Sequence, residues 1–205
     1  MKKNAVFQEG KEWDRRLNIH TSGRDASSED ENRFPYEPTP YSVLERLSES
    51  GLIQPDSHVM DYGSGKGRIA FFLKHKIGCR VTGVEFNPLF VQTAEENLRT
   101  FAENPDGITF IPENAEDCVV PDDADVSYFF NPFSEKILLS VIGRITESLY
   151  RQPRNMKLLF YYPSDEYVSA LMMCEELQFE DEIDCSDLFP GKDRRERILI
   201  FSTVR

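Results

Sequence analysis

From residue 58 onward the chain alternates between two hydrophobic periodicities, and that alternation constrains its fold more than any other feature. Short apolar runs at 58–61, 80–86, 108–111, 126–130 and 157–162 read as buried strands. Helical patterns lie between them. Arg68 to Lys76 carries Ile69, Phe72 and Leu73 on one face, and the next helix carries Phe90, Ala94, Leu98 and Phe101. A longer one carries Ile137, Leu138, Val141, Ile142, Ile145 and Leu149, and another carries Val168, Leu171 and Met172. Asn87, Ser134 and Ser164 stand where helix N-caps belong, with Pro88 opening its helix. Strands that alternate with helices pair in parallel, because each crossover lays its helix on a sheet face. The last two strand patterns, 177–185 and 195–204, are joined by only nine residues. A parallel crossover needs about a dozen or more, so this pair is antiparallel. The expected fold class is α/β: a doubly wound, mostly parallel seven-stranded sheet ending in an antiparallel hairpin, with helices on both faces.

The first 33 residues differ from the rest. Seven acids and seven bases are scattered among polar residues, and apolar side chains are sparse. The expected division is an N-terminal arm or lid over 1–33, partly flexible, and one domain over 34–205. Phe34-Pro35-Tyr36-Glu37-Pro38-Thr39-Pro40 is a stiff extended stretch, since each proline disfavours helix at the residue before it. Thr39 is expected to cap a helix that starts at Pro40, buries Val43, Leu44 and Leu47, and ends at Gly51.

Composition excludes several classes. Net charge is −12, which argues against a broad, sequence-independent hold on nucleic acid. The basic group Lys192, Arg194, Arg195 and Arg197 is the local exception. The longest run without a charged residue is nine, too short for a membrane span, and the start has no apolar signal segment. Cys79, Cys118, Cys174 and Cys185 have no metal-ligand spacing and read as thiols of a reducing, cytoplasmic setting. No metal site is expected, and no Ser-His-Asp or paired-carboxylate constellation stands out.

The chemistry concentrates in Asp61-Tyr62-Gly63-Ser64-Gly65-Lys66-Gly67, between a strand and a helix. Glycines there let backbone approach a ligand, and the helix start offers free N–H groups. A dinucleotide fingerprint would place its third glycine at position 68, which is Arg68.

The third glycine comes one residue early, and an acid stands two residues before the first. This D-x-G-x-G-x-G form resembles motif I of class I S-adenosylmethionine (SAM)-dependent methyltransferases. The resemblance implies SAM as cofactor, with Gly63, Ser64, Gly65 and Gly67 around its methionine and ribose and Asp61 supporting the loop or the amino group. It places Glu85 on the ribose hydroxyls and Phe86 on one adenine face. Asn114-Ala115 stands where the family usually has Asp-Ala reading the adenine edge. Asn131-Pro132-Phe133-Ser134 resembles the Asn-Pro-Pro-aromatic motif of nitrogen methyltransferases, with one proline fewer and the aromatic one position early. Asn131, Pro132 and Phe133 are thus the candidate catalytic residues, Asn131 also bordering the cofactor.

Tyr36-Glu37-Pro38-Thr39-Pro40 is similar to a segment before motif I in a group of mitochondrial lysine methyltransferases. That implies Tyr36 and Thr39 near the methionine part, with the arm carrying Trp13, Arg15, Arg16 and His20 as a lid. The expected function is methyl transfer from SAM to an unidentified acceptor, a nitrogen of a protein or small molecule. A protein lysine, a small molecule and a nucleic acid are all open as acceptors, and the protein is expected to be a monomer or homodimer away from membranes. Two alternatives remain: a catalytically silent SAM-binding partner subunit, and a nucleotide-dependent oxidoreductase.

Overall fold

The computed structural model describes residues 2–26, 32–191 and 193–204, with side chains from residue 8 onward. Residues 1 and 27–31 of the expected arm, and Lys192 of the basic group, lie outside the described residues. Seven strands form one sheet: β1 (His58–Tyr62), β2 (Arg80–Val84), β3 (Ile108–Ile111), β4 (Val126–Phe129), β5 (Lys157–Tyr161), β6 (Leu177–Asp184) and β7 (Arg197–Thr203). Their order is β3-β2-β1-β4-β5-β7-β6. The first five pair in parallel. β7 enters between β5 and β6 and is antiparallel to both. This is the α/β sheet expected from the alternating pattern and the short final connection.

Successive strand residues face opposite sides, so two cores form. One takes Val59, Val81, Tyr128 and Leu159 against α2 (Tyr41–Glu49) and α3 (Arg68–Lys76). The other takes Met60, Tyr62, Phe129 and Leu158 against α5 (Glu135–Arg151) and α6 (Asp165–Met173). α4 (Pro88–Thr100) connects β2 to β3. At its start the Asn87 side chain accepts from the Leu89 N–H, and at α6 Ser164 accepts from the Tyr167 N–H.

One cap differs from expectation in position, and Ser134 holds its expected N-cap position without a side-chain cap bond. Pro40, not Thr39, holds the N-cap position of α2. The Thr39 hydroxyl instead meets the Tyr128 hydroxyl at 3.2 Å. Ser134 precedes α5, but its hydroxyl bonds the Asn32 side chain at 3.1 Å. In both places a long-range partner outcompetes the local amide.

The N-terminal region contains a helix that its sequence pattern hides: α1 (Lys2–Leu17). Leu17 and Ile19 are buried, and Trp13 packs edge-on to Phe72. The masking residue is Asp14, a carboxylate on the buried face. It accepts from the Thr21 N–H and hydroxyl, the Ser22 N–H and the Tyr41 hydroxyl at 2.7–2.8 Å. A buried, satisfied acid interrupts the apolar stripe that a helix of this kind would otherwise show.

Candidate active site

In open α/β sheets ligands bind where strand order reverses, outside the carboxyl ends. Here the reversal lies at β1, flanked by β2 and β4. The end of β1 and the loops after these strands supply Asp61-to-Gly67, Glu85-Phe86 and Asn131-Pro132-Phe133, and with Asn114 and Ala115 most of these residues line one cavity of about 90 Å3. Gly65 and Gly67 are the predicted loop residues that do not line it.

The glycines of the loop follow from contact as much as from dihedrals. Gly65 has φ +53°, and a Cβ there would overlap the Tyr36 ring. Gly63 has φ +76°, and a Cβ would overlap Pro132. Both positions therefore exclude every other residue while the loop, Tyr36 and Pro132 stay where they are.

Glu85 braces the loop. It sits one residue past β2, where the chain turns toward Asn87, so the strand ends two residues earlier than its apolar pattern suggests. Its two oxygens accept from the Gly65 and Asn87 N–H groups at 2.9 and 2.8 Å. Burial raises its pKa, and those amides oppose the rise. Each carboxylate oxygen keeps further lone-pair capacity for a ligand hydroxyl. Phe86 is 39% exposed and turned to the cavity.

Three buried polar atoms on this cavity have no hydrogen-bond partner: Asp61 Oδ2, Ser64 Oγ and Asn131 Oδ1. Native proteins rarely leave such groups unpaired, so each is a candidate contact for a bound group. Burial, reinforced by Glu85, pushes the Asp61 carboxyl up to about 8. A neighbouring ammonium would restore its charge. Asn131 has φ +42°, a left-handed conformation that Asn tolerates better than most residues.

Phe133 is 5% exposed and edge-on to Phe129, while its carbonyl accepts from the Tyr167 hydroxyl at 2.6 Å. Tyr36 reaches back to the Thr21 carbonyl and packs on Phe90 at 5.0 Å. Phe34, Pro35, Glu37 and Pro38 line both this cavity and a second, open cleft of about 790 Å3, so the strap they form is the wall between the two. Phe130, Tyr161, Tyr162 and Phe189 line the cleft, with Glu37, Glu196, Arg24 and Gly10. Trp13, Arg15, Arg16 and His20 line neither cavity.

Two supporting residues escaped the sequence reading. Arg68, noted there only as a missing glycine, is buried. It donates to the Thr21 hydroxyl at 2.8 Å, the Thr39 carbonyl at 3.1 Å and the Ser22 hydroxyl at 3.1 Å, and its guanidinium lies 3.4 Å from Asp14. One side chain thus ties the helix after the glycine loop to the N-terminal segment and the strap. Its signal was available: a cation at a helix N-terminus opposes the helix dipole and needs partners elsewhere. Asn97 is the other. It donates to the Lys66 carbonyl at 3.0 Å and accepts from the His20 N–H at 2.7 Å. Its signal was available too: three residues after Ala94 and four before Phe101, it falls on the buried face of α4, where a polar side chain needs partners.

A glycine loop after β1, an acid after β2 and a polar turn after β4, on a sheet finished by an antiparallel β7, define a Rossmann-like methyltransferase fold. Residues 59–152 match the family model described as a methyltransferase domain. Solved structures agree in fold. A precorrin-6y C5,15-methyltransferase from Geobacter metallireducens is 16% identical over 82% of this chain and 90% of its own, with TM-score 0.54. An RNA methyltransferase from Salinibacter ruber, in complex with S-adenosylhomocysteine (SAH), is 20% identical over 82% and 94%, with TM-score 0.52. The mitomycin 7-O-methyltransferase MmcR is 15% identical over 80% of this chain and 53% of its own, with TM-score 0.61. No curated protein matches the sequence. These findings support a class I SAM-dependent methyltransferase, with SAM as its cofactor. The residues present fit that cofactor: the unpartnered Asp61 oxygen suits its ammonium, and the spare lone pairs of Glu85 suit its ribose.

Among the described residues, no helix is long and apolar enough to cross a membrane. Cys79, Cys118 and Cys185 are buried free thiols, and Cys174 is half-buried.

Proposed function

We propose that the protein transfers the methyl group of SAM to a nitrogen of an acceptor that enters through the aromatic cleft. The observation that carries this reading is the buried, unpartnered Asn131 Oδ1, on a residue that lines both the cofactor cavity and the cleft. An amine or amide can donate one N–H to that oxygen while its lone pair faces the methyl. A hydroxyl acceptor must lose its only proton, and an amide oxygen is too weak a base to take it. When bound, SAM supplies a methyl already activated by a sulfonium, so the chain's own task is alignment and exclusion of water. Asn131 orients the nitrogen, Pro132 closes on the glycine loop, and Phe133 supports the turn from beneath.

The cleft favours a protein side chain or small molecule that carries an amine on an apolar stem. Phe130 packs on Tyr161 at 4.7 Å and lies edge-on to Tyr162. The Tyr161 hydroxyl donates to Glu196 at 2.6 Å. Burial, aided by Asp193 and Glu37, holds Glu196 above the usual carboxylate range. An amine arriving as its cation would relieve that strain between acids and stack on the rings, and it must then lose one proton to solvent before its lone pair can take the methyl.

Methyl-labelled SAM incubated with a cell extract tests the reading. Label should enter a product that survives mild base, as N-methyl groups do and methyl esters do not. Asn131→Ala should lower kcat about 10-fold or more, the scale of one lost charge-free hydrogen bond with its geometry, and change SAH affinity less than about 3-fold. Base-labile label, or full activity in Asn131→Ala, would refute nitrogen transfer. No labelled product would favour the silent-subunit alternative.

A further inference from the structure

Arg33, on the strap, occupies the place that the cofactor reading gives to adenine. Its guanidinium lies 4.4 Å from the centroid of the Phe86 ring. It also donates to Asn114 Oδ1 at 2.9 Å. Phe86 and Asn114 are the two side chains assigned to the adenine face and the adenine amino group. A guanidinium and an adenine share the features these residues read: a flat face for the ring, and an N–H donor in the plane of that face for the amide oxygen.

The cavity has the size this occupancy requires. It encloses about 90 Å3, whereas small-molecule and cofactor sites run from about 300 to 1,000 Å3. Among the described residues, backbone hydrogen bonds are part of what holds the strap that carries Arg33 in place. The Phe34 N–H donates to the Pro132 carbonyl at 3.3 Å, and the Ser134 N–H to the Asn32 carbonyl at 2.8 Å. Tyr36 and Asp25 exchange backbone bonds at 2.8 and 3.1 Å. None of these bonds belongs to the seven-stranded sheet.

We infer that Arg33 is an affinity-setting residue of the cofactor site, a resident stand-in for adenine that SAM must displace. The inference rests on the adenosyl-cofactor reading. Binding then reports only the fraction of molecules with Arg33 withdrawn, so the apparent Kd is the intrinsic Kd divided by that fraction. Removing the side chain raises the fraction toward one.

Isothermal titration with SAH and with 5′-methylthioadenosine, which keeps the adenine and drops the amino-acid end, tests this. Arg33→Ala should bind both ligands tighter, by about 3-fold or more. Arg33→Lys, which keeps the charge but loses the planar fork, should shift in the same direction. Circular dichroism confirms the fold of each variant. Weaker binding by both variants would make Arg33 a clamp on bound adenine and overturn the inference, as would unchanged binding. If SAH binds neither the unaltered protein nor the variants, the cofactor reading itself has failed.

Discussion

At the scale of single residues, Asp61 shows how the site stores an unmet need. Its carboxyl is buried, one oxygen lacks a partner, and its pKa stands at about 8 against an ordinary value of 3.8. Between these values the folded protein holds a proton that the unfolded chain has lost. Stability from this group therefore falls as pH rises from about 4 to 8 and levels off above that. Asp61→Asn removes the titration. It should flatten the stability curve over that window and raise stability near pH 7–8 by about 1–3 kcal/mol, while weakening SAH binding. Urea unfolding across pH checks both slope and size. A variant as pH-sensitive as the parent would contradict the assignment. Asp61 was legible in the sequence because it precedes the glycine loop at a fixed spacing. Its lack of a partner was not, because that depends on every element around it.

At the scale of elements, the join between α1, the strap and α3 rests on Asp14 and Arg68. Burial alone would raise the Asp14 carboxyl, but Arg68, Thr21 and Tyr41 outweigh it and leave it below the usual value. Its contribution to stability is thus present above about pH 4 and lost as pH falls through the lowered value. Asp14→Ala leaves a buried guanidinium short of its counter-charge. The expected cost is about 3–5 kcal/mol in urea unfolding, with the strap released as well. A cost under about 1 kcal/mol would mean that α1 docks through Leu17, Ile19 and Trp13 alone. Elements with a clean period were readable from sequence: α3 and β3 span the residues that their patterns suggested. α1 was not, because its buried face carries Asp14. Thr39 does not hold the N-cap of its helix, and Ser134 holds its N-cap position without a side-chain bond to the local amides, for a related reason. Their hydroxyls have partners more than 80 residues away in sequence, Tyr128 at |i−j| 89 and Asn32 at |i−j| 102.

At the scale of the whole molecule, the sheet order and the glycine loop converge on one ligand. The closing hairpin was readable because nine residues cannot make a parallel crossover, yet the insertion of β7 between β5 and β6 required the structure. The two cavities on either side of the strap were likewise invisible in sequence, since they arise where Phe34–Pro38 crosses the reversal point between β1 and β4. The most direct measurement is a thermal shift of the purified protein with SAH, SAM and NADH in parallel. Ligand at about 100 times its Kd adds about 2.7 kcal/mol, which for a chain of this length raises Tm by roughly 5–10 °C. SAH and SAM should each produce that rise, NADH should produce none, and Glu85→Ala should abolish it. A shift with NADH, or none with SAH at millimolar concentration, would contradict the account.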